Sequence, residues 1–189
     1  MLLKLAFWAA LLLSAGWYIH NKLKFQDNCI GFNSGSLLCG KAVYSKKTFE
    51  HDLVVNGNFS GTEVALQAAI INGTAYLSKS HVHGALTVNG MVEAQSSFFD
   101  GPVSVQGYFI GKSIAVAHTI NLCGMLKITD SQMQAITVKN SKEKPAHIYL
   151  YGSTHVAADI VFVESNGIVH ADKTVTIAGK IVGGSRLSN

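Results

Sequence analysis

From Leu53 onward the chain alternates apolar and polar positions in short runs, each closed by a glycine. Blocks of apolar, any, apolar, any, Gly recur as LVVNG (53 to 57), AIING (69 to 73), LTVNG (86 to 90), VSVQG (103 to 107) and INLCG (120 to 124), and ITVKN (136 to 140) repeats them with Asn in the glycine place. Their closing residues are 16, 17, 17, 17 and 16 positions apart. Alternation of period two predicts strands with one face in and one out, and the longer period predicts that each unit stacks on its predecessor. Whole columns are apolar: Phe59, Ala75, Val92, Phe109 and Leu126 follow the corners, and Leu66, Val82, Phe99, Val116 and Met133 stand further on. At about 3.3 Å per strand residue one unit traces roughly 56 Å, the perimeter of a three-sided coil of short strands around a packed core. The expected fold is all-β, a parallel β-helix (β-solenoid) of about 7 to 8 coils over residues 53 to 183, with Val55, Ile71, Val88 and Val105 in one file.

Stacking explains the residue choices. Asn56, Asn72, Asn89 and Gln106 precede the corners and form an expected ladder of side-chain amides. The corner glycines supply a positive φ or a close backbone approach that is cheap only without a Cβ. The spacing breaks after Asn140, where SKEKPAH predicts a surface loop over 141 to 145, because Pro145 cannot donate to an interior ladder. The next corners are expected at Gly152, Gly167 and Gly179, in IYLYG, VESNG and VTIAG, and residues 184 to 189 form a short tail.

Before the repeats, residues 5 to 19 are uncharged and mostly apolar, with Lys4 ahead of them and His20, Lys22 and Lys24 behind. Leu5, Phe7, Trp8, Leu11, Leu12, Leu13, Trp17 and Ile19 make this a lipid-seeking segment. An uncleaved single-pass anchor helix over residues 1 to 24 is the preferred reading; a cleaved signal peptide, served by Ser14-Ala15-Gly16, and a buried helix are the alternatives. Residues 25 to 52 read as a linker and amino-terminal cap. Within it Cys29 and Cys39 flank a Gly/Ser/Asn loop and are positioned to bridge if exported, or to remain two thiols if not.

Composition narrows the function. The net charge of +4 rests on 14 Lys and a single Arg, Arg186, so the clustered arginines of nucleic-acid recognition are missing. Asp100, Asp130, Asp159, Glu164 and Asp172 do not share a column, which argues against a carbohydrate-cleaving groove and against an enzyme. His81 and His83 lie on one side of a strand at a spacing metals use, but no third ligand is evident; Glu50-His51-Asp52 read as a solvated turn. Neither a metal nor a cofactor is expected.

The glycine-cornered repeats with V/I-x-V/I-N-G blocks resemble the bactofilins, bacterial proteins with a β-helical central domain. The resemblance covers residues 53 to 183. It implies a right-handed winding, nucleotide-independent end-to-end polymerisation, attachment to the bacterial inner membrane, and service as a scaffold for cell-shape or envelope enzymes. The span-like anchor and the near absence of a carboxy-terminal tail depart from that family. Solenoid ends expose unpaired backbone and apolar cross-section, so Leu53 and Val55 at one end, and Val175 and Ile177 at the other, are the expected self-association residues. The resulting expectation is a membrane-anchored structural protein whose partners are the membrane, its own copies and unidentified proteins. The alternative is an exported β-helical binding module or a subunit of an envelope-spanning assembly. An apolar amino terminus and an Asn-, Ser- and Thr-rich body favour the extracytoplasmic, periplasmic side for the soluble part, with the cytoplasmic side as the alternative.

Overall fold

A computed structural model describes residues 36–139, 145–164 and 166–188. The anchor residues Leu5, Phe7, Trp8, Leu11, Leu12, Leu13, Trp17 and Ile19, and Cys29, lie outside these. Among the described residues no helix is long and apolar enough to cross a membrane.

The described chain is an all-β parallel solenoid of about eight turns. Ten-residue strands such as Leu53–Thr62, Ala69–Ser78, Leu86–Gln95 and Val103–Lys112 alternate with two-residue strands such as Ala65–Leu66, His81–Val82 and Phe98–Phe99. Each pairs in parallel with its counterpart one lap on. The ten-residue strand is two sides of a triangle. Leu53 and Val55 point inward, Asn56-Gly57-Asn58 turn the first corner, Phe59 and Gly61 point inward along the second side, and Val64 and Leu66 line the third. Val55, Ile71, Val88 and Val105 pair in one file, and the Phe59 and Leu66 columns are buried from the first described lap as far as Val169 and Val156.

Volume is shared between neighbouring inward columns. Phe59 and Phe109 are each followed two residues on by a glycine, Gly61 and Gly111, whereas Ala75 is followed by Leu77. A Cβ on Gly61 would press on Val64 and Phe59, and one on Gly111 on Ile114 and Ile128. Each lap therefore fills the same cross-section by a different division of bulk, as close packing requires.

The three corners solve different problems. At the first, Gly57, Gly73, Gly90, Gly107 and Gly124 have φ between 132° and 144°, and a Cβ on any of them would run into the carbonyl oxygen of the glycine one lap before. Beside them Asn72 Nδ2 donates to Asn56 Oδ1 at 2.8 Å and Asn89 Nδ2 to Asn72 Oδ1 at 2.7 Å. Gln106 stands next in the column but does not extend this chain; its longer side chain does not repeat the asparagine geometry.

The second corner is left-handed, and glycine takes it only at Gly152. Lys46, Glu63, Lys79, Ser96, Ser113 and Asp130 have φ of 50° to 55°. Just after it come the only buried polar side chains among the described residues, Ser80, Ser97, Ser131 and Thr154. Each hydroxyl accepts from a backbone N–H one lap before: Val64 to Ser80, Ser80 to Ser97 (3.1 Å), Ile114 to Ser131 and Ser131 to Thr154. Each also donates to a carbonyl of its own lap, Ser97 Oγ to Gln95 at 2.9 Å, for example. No buried side-chain polar atom among the described residues lacks a partner.

Several sequence expectations need correction. The solenoid begins by Ser36 and not at Leu53: strand Ser36–Ser45 pairs residue for residue with Leu53–Thr62, and Thr48–Phe49 with Ala65–Leu66. The segment read as linker and cap over 36 to 52 is thus a full lap, and Leu53 and Val55 are buried beneath it rather than presented at an end. The tail is likewise strand Gly184–Ser188, laid along Gly167–Ala171. Val175 is buried, and Ile177 is half-buried in strand Thr176–Ile177 on the final lap. Gly152, Gly167 and Gly179 mark three different corners and not one. Gly152 follows Tyr151, the partner of Thr129; Gly167 precedes Ile168, the partner of His147; and Gly179 abuts Ala158 at the third corner. Of the predicted loop, residues 141–144 lie outside the described residues.

The first and the last described laps each put a cation in an inward column. Lys47 stands opposite buried Val64, its Nζ 4.6 Å from the Tyr44 ring centre and 4.8 Å from that of Phe49. Arg186 pairs with buried Val169, and its Nη2 donates at 3.1 Å to the carbonyls of Asp172 and of Val175.

Gly90→Ala is expected to destabilise the protein by about 3 kcal/mol or more, adding left-handed strain to overpacking against the Gly73 carbonyl. Ser97→Ala is expected to cost about 1 to 3 kcal/mol, because it orphans the buried Ser80 N–H. Chemical unfolding followed by circular dichroism measures both.

Candidate functional site

The third side is short, so its outward face has two columns. One carries Ala65, His81, Phe98, Ala115, Gln132 and His155, in register. The other, two residues on, carries Gln67, His83, Asp100, Ala117 and Gln134. His81 and His83 flank Val82, which is fully buried, and Asp100 follows Phe99, buried in the next lap. Backbone bonds hold the three: His81 N–H to Val64, His83 N–H to Leu66 and Asp100 N–H to Val82, each 2.9 Å.

The strand geometry thereby supplies the ligand that the sequence reading lacked. Asp100 Oδ2 lies 2.6 Å from His81 Nε2 and 3.2 Å from His83 Nδ1. An ionised carboxylate only accepts, so both rings donate to this oxygen, which places protons on Nε2 of His81 and Nδ1 of His83. The imidazole rings are 4.0 Å apart, and the edge of Phe98 abuts His81. The His81 hydrogen bond is the chief cause that holds the Asp100 carboxyl below its ordinary value; desolvation opposes it, and the His83 bond and electrostatic attraction from the two imidazoles reinforce it.

Beyond Asp100 the small side chains of Ala115 and Ala117 leave a shallow cleft of about 300 Å³, bounded by Phe98 and Asp100 on one side and by Gln132, Gln134 and His155 on the other. The larger opening, about 780 Å³, lies elsewhere, over the third corner and first side, where Glu50, His51 and Asp52 line it with Ile70. Those three do not converge. Among the described residues the only group of His, Cys, Asp or Glu donors close enough to share an ion is His81, His83 and Asp100.

The remaining carboxylates brace the irregular later laps. Asp130 Oδ1 accepts from Ser153 N–H and Oγ–H, Asp172 Oδ2 from Gly152 N–H, and Asp159 Oδ1 from Lys180 N–H. On the second face His147, Tyr149 and His170 stack, Tyr149 and His170 at 4.6 Å and 13°, with His147 Nδ1 2.9 Å from His170 Nε2. Cys39 is disulfide-bonded, Cys123 is a free exposed thiol, and Cys29 lies outside the described residues.

No family model, no curated protein and no solved structure matches the chain.

Because the folded Asp100 value is depressed, any stability this cluster adds is present above the ordinary aspartate range and lost as pH falls through the depressed value. Carboxyl NMR is expected to show Asp100 titrating below ordinary aspartates, and to show it moving back up towards them in His81→Ala.

Proposed function

We propose that this chain is a membrane-anchored structural protein of bactofilin-like style, wound right-handed as parallel crossovers almost always are. It holds a rigid solenoid on the extracytoplasmic side of a bacterial inner membrane and scaffolds protein partners there. The apolar residues 5 to 19 supply the anchor. The disulfide at Cys39 supports export, since such bonds persist in oxidising compartments.

The observation that carries the scaffolding role is an exposed patch on the second face. Met91, Tyr108 and Met125 pair in one column, with Ile110 beside Tyr108; Tyr108 is 53% exposed, Met125 42% and Ile110 39%. Tyrosine and methionine on a flat, rigid sheet are the residues that protein interfaces favour. Association through this face suits the described laps better than stacking of their ends, because Lys47 and Arg186 bring a positive charge to the first and the last described lap.

Two measurements test the proposal on the full-length chain. Cys123 is a built-in topology probe: a membrane-impermeant maleimide is expected to label it on intact cells, and protection until lysis would overturn the extracytoplasmic placement. Electron microscopy of the detergent-purified protein is expected to show discrete particles. Filaments would restore the ends as the association surfaces.

A further inference from the structure

We infer that His81, His83 and Asp100 form a binding site for a borderline divalent transition metal, of which Zn²⁺ is the representative. The donor set is two imidazole nitrogens and one carboxylate oxygen, with all ligating atoms within 4.8 Å of one another. With metal–ligand bonds of about 2.0 to 2.2 Å, tetrahedral coordination places neighbouring donors about 3.3 Å apart. The separation of His83 Nδ1 from Asp100 Oδ2, 3.2 Å, already has that value. The 2.6 Å between His81 Nε2 and Asp100 Oδ2 is a hydrogen-bond length. It opens by well under 1 Å, a small side-chain rotation, once an ion replaces the shared proton.

The chemistry selects the ion. Calcium and magnesium take all-oxygen shells, whereas imidazole suits zinc, nickel and copper. Ligation requires each neutral ring to keep its proton on the nitrogen that faces away, Nδ1 of His81 and Nε2 of His83. The shift passes through water, since these side chains are 42% and 43% exposed. Net charge falls into place as well: one carboxylate and two neutral rings leave the site anionic before a dication binds.

The placement is also rigid. All three residues are backbone-bonded within the lap ladder and alternate with fully packed Val82 and Phe99, so little ordering accompanies binding. Three protein ligands leave at least one coordination position for water or for a donor from outside the chain. The nearest competitor, His147 with His170, offers two nitrogens and no carboxylate.

The test is titration of the EDTA-stripped, full-length protein in detergent with ZnCl₂ against a chromophoric chelator. One tight Zn²⁺ per chain is expected. His83→Ala and Asp100→Asn should each weaken it about tenfold or more, while the double variant His147→Ala/His170→Ala leaves it unchanged. Circular dichroism of each variant confirms folding, since the altered side chains are surface groups. Copper-loaded protein should show nitrogen hyperfine structure in its electron paramagnetic resonance spectrum that His83→Ala alters. Affinity within about twofold of wild type in His83→Ala, or loss of binding in the His147/His170 variant instead, would overturn the assignment.

Discussion

Everything in this molecule rests on backbone ladders that run along the solenoid axis at about 4.8 Å per lap. That spacing is too small for a Cβ wherever the chain turns sharply outward, so the first corner is glycine in lap after lap, each packed against the carbonyl of the last. Once the corner is set, the register of every other column follows, because a parallel ladder cannot slip by one residue without turning the core face out. The buried serine ladder is a consequence of the same geometry. A left-handed second corner aims an N–H inward with no strand opposite it, and a hydroxyl from the next lap meets it.

A stack with this logic has no intrinsic end, and closing it falls to the terminal laps. In the first and last described laps a cation stands where the inner laps are apolar. Lys47 and Arg186 stand in columns that are apolar one lap further in, Lys47 over aromatic rings and Arg186 on the carbonyls of Asp172 and Val175. A further lap added to either described end would have to desolvate a cation, which is expensive without a counter-charge. The same long ladder that makes filament growth plausible from sequence therefore carries features that oppose it.

The sequence was most readable where one residue type repeats at one place. The five corner glycines and the apolar files behind Phe59 and Leu66 predicted the fold and its register from 53 to 138. The second corner was invisible because Lys46, Glu63, Lys79, Ser96, Ser113 and Asp130 share a backbone angle and no chemistry. The first lap is less legible: Gly40 lies 17 residues before Gly57, but the sequence around Leu38-Cys39-Gly40 is polar and lysine-bearing and hides the repeat. After residue 139 the spacing in the sequence changes, and Gly152, Gly167 and Gly179 fall at three different corners of the triangle.

The histidine–aspartate cluster shows the same limit from the other side. His81 and His83 are legible in the sequence as a pair, and no third donor stands near them along the strand. Yet the repeat that placed Val88 over Ile71 also places Asp100 beside His83, 17 residues earlier. A solenoid converts that separation into one inter-strand step, so outward columns bring side chains together as strictly as inward ones do. Outward positions are free of packing demands, which is why a donor set can be assembled there without disturbing Val82 or Phe99 beneath it. In such a fold, the residues that act together are found by reading across laps at the repeat length rather than along the strand.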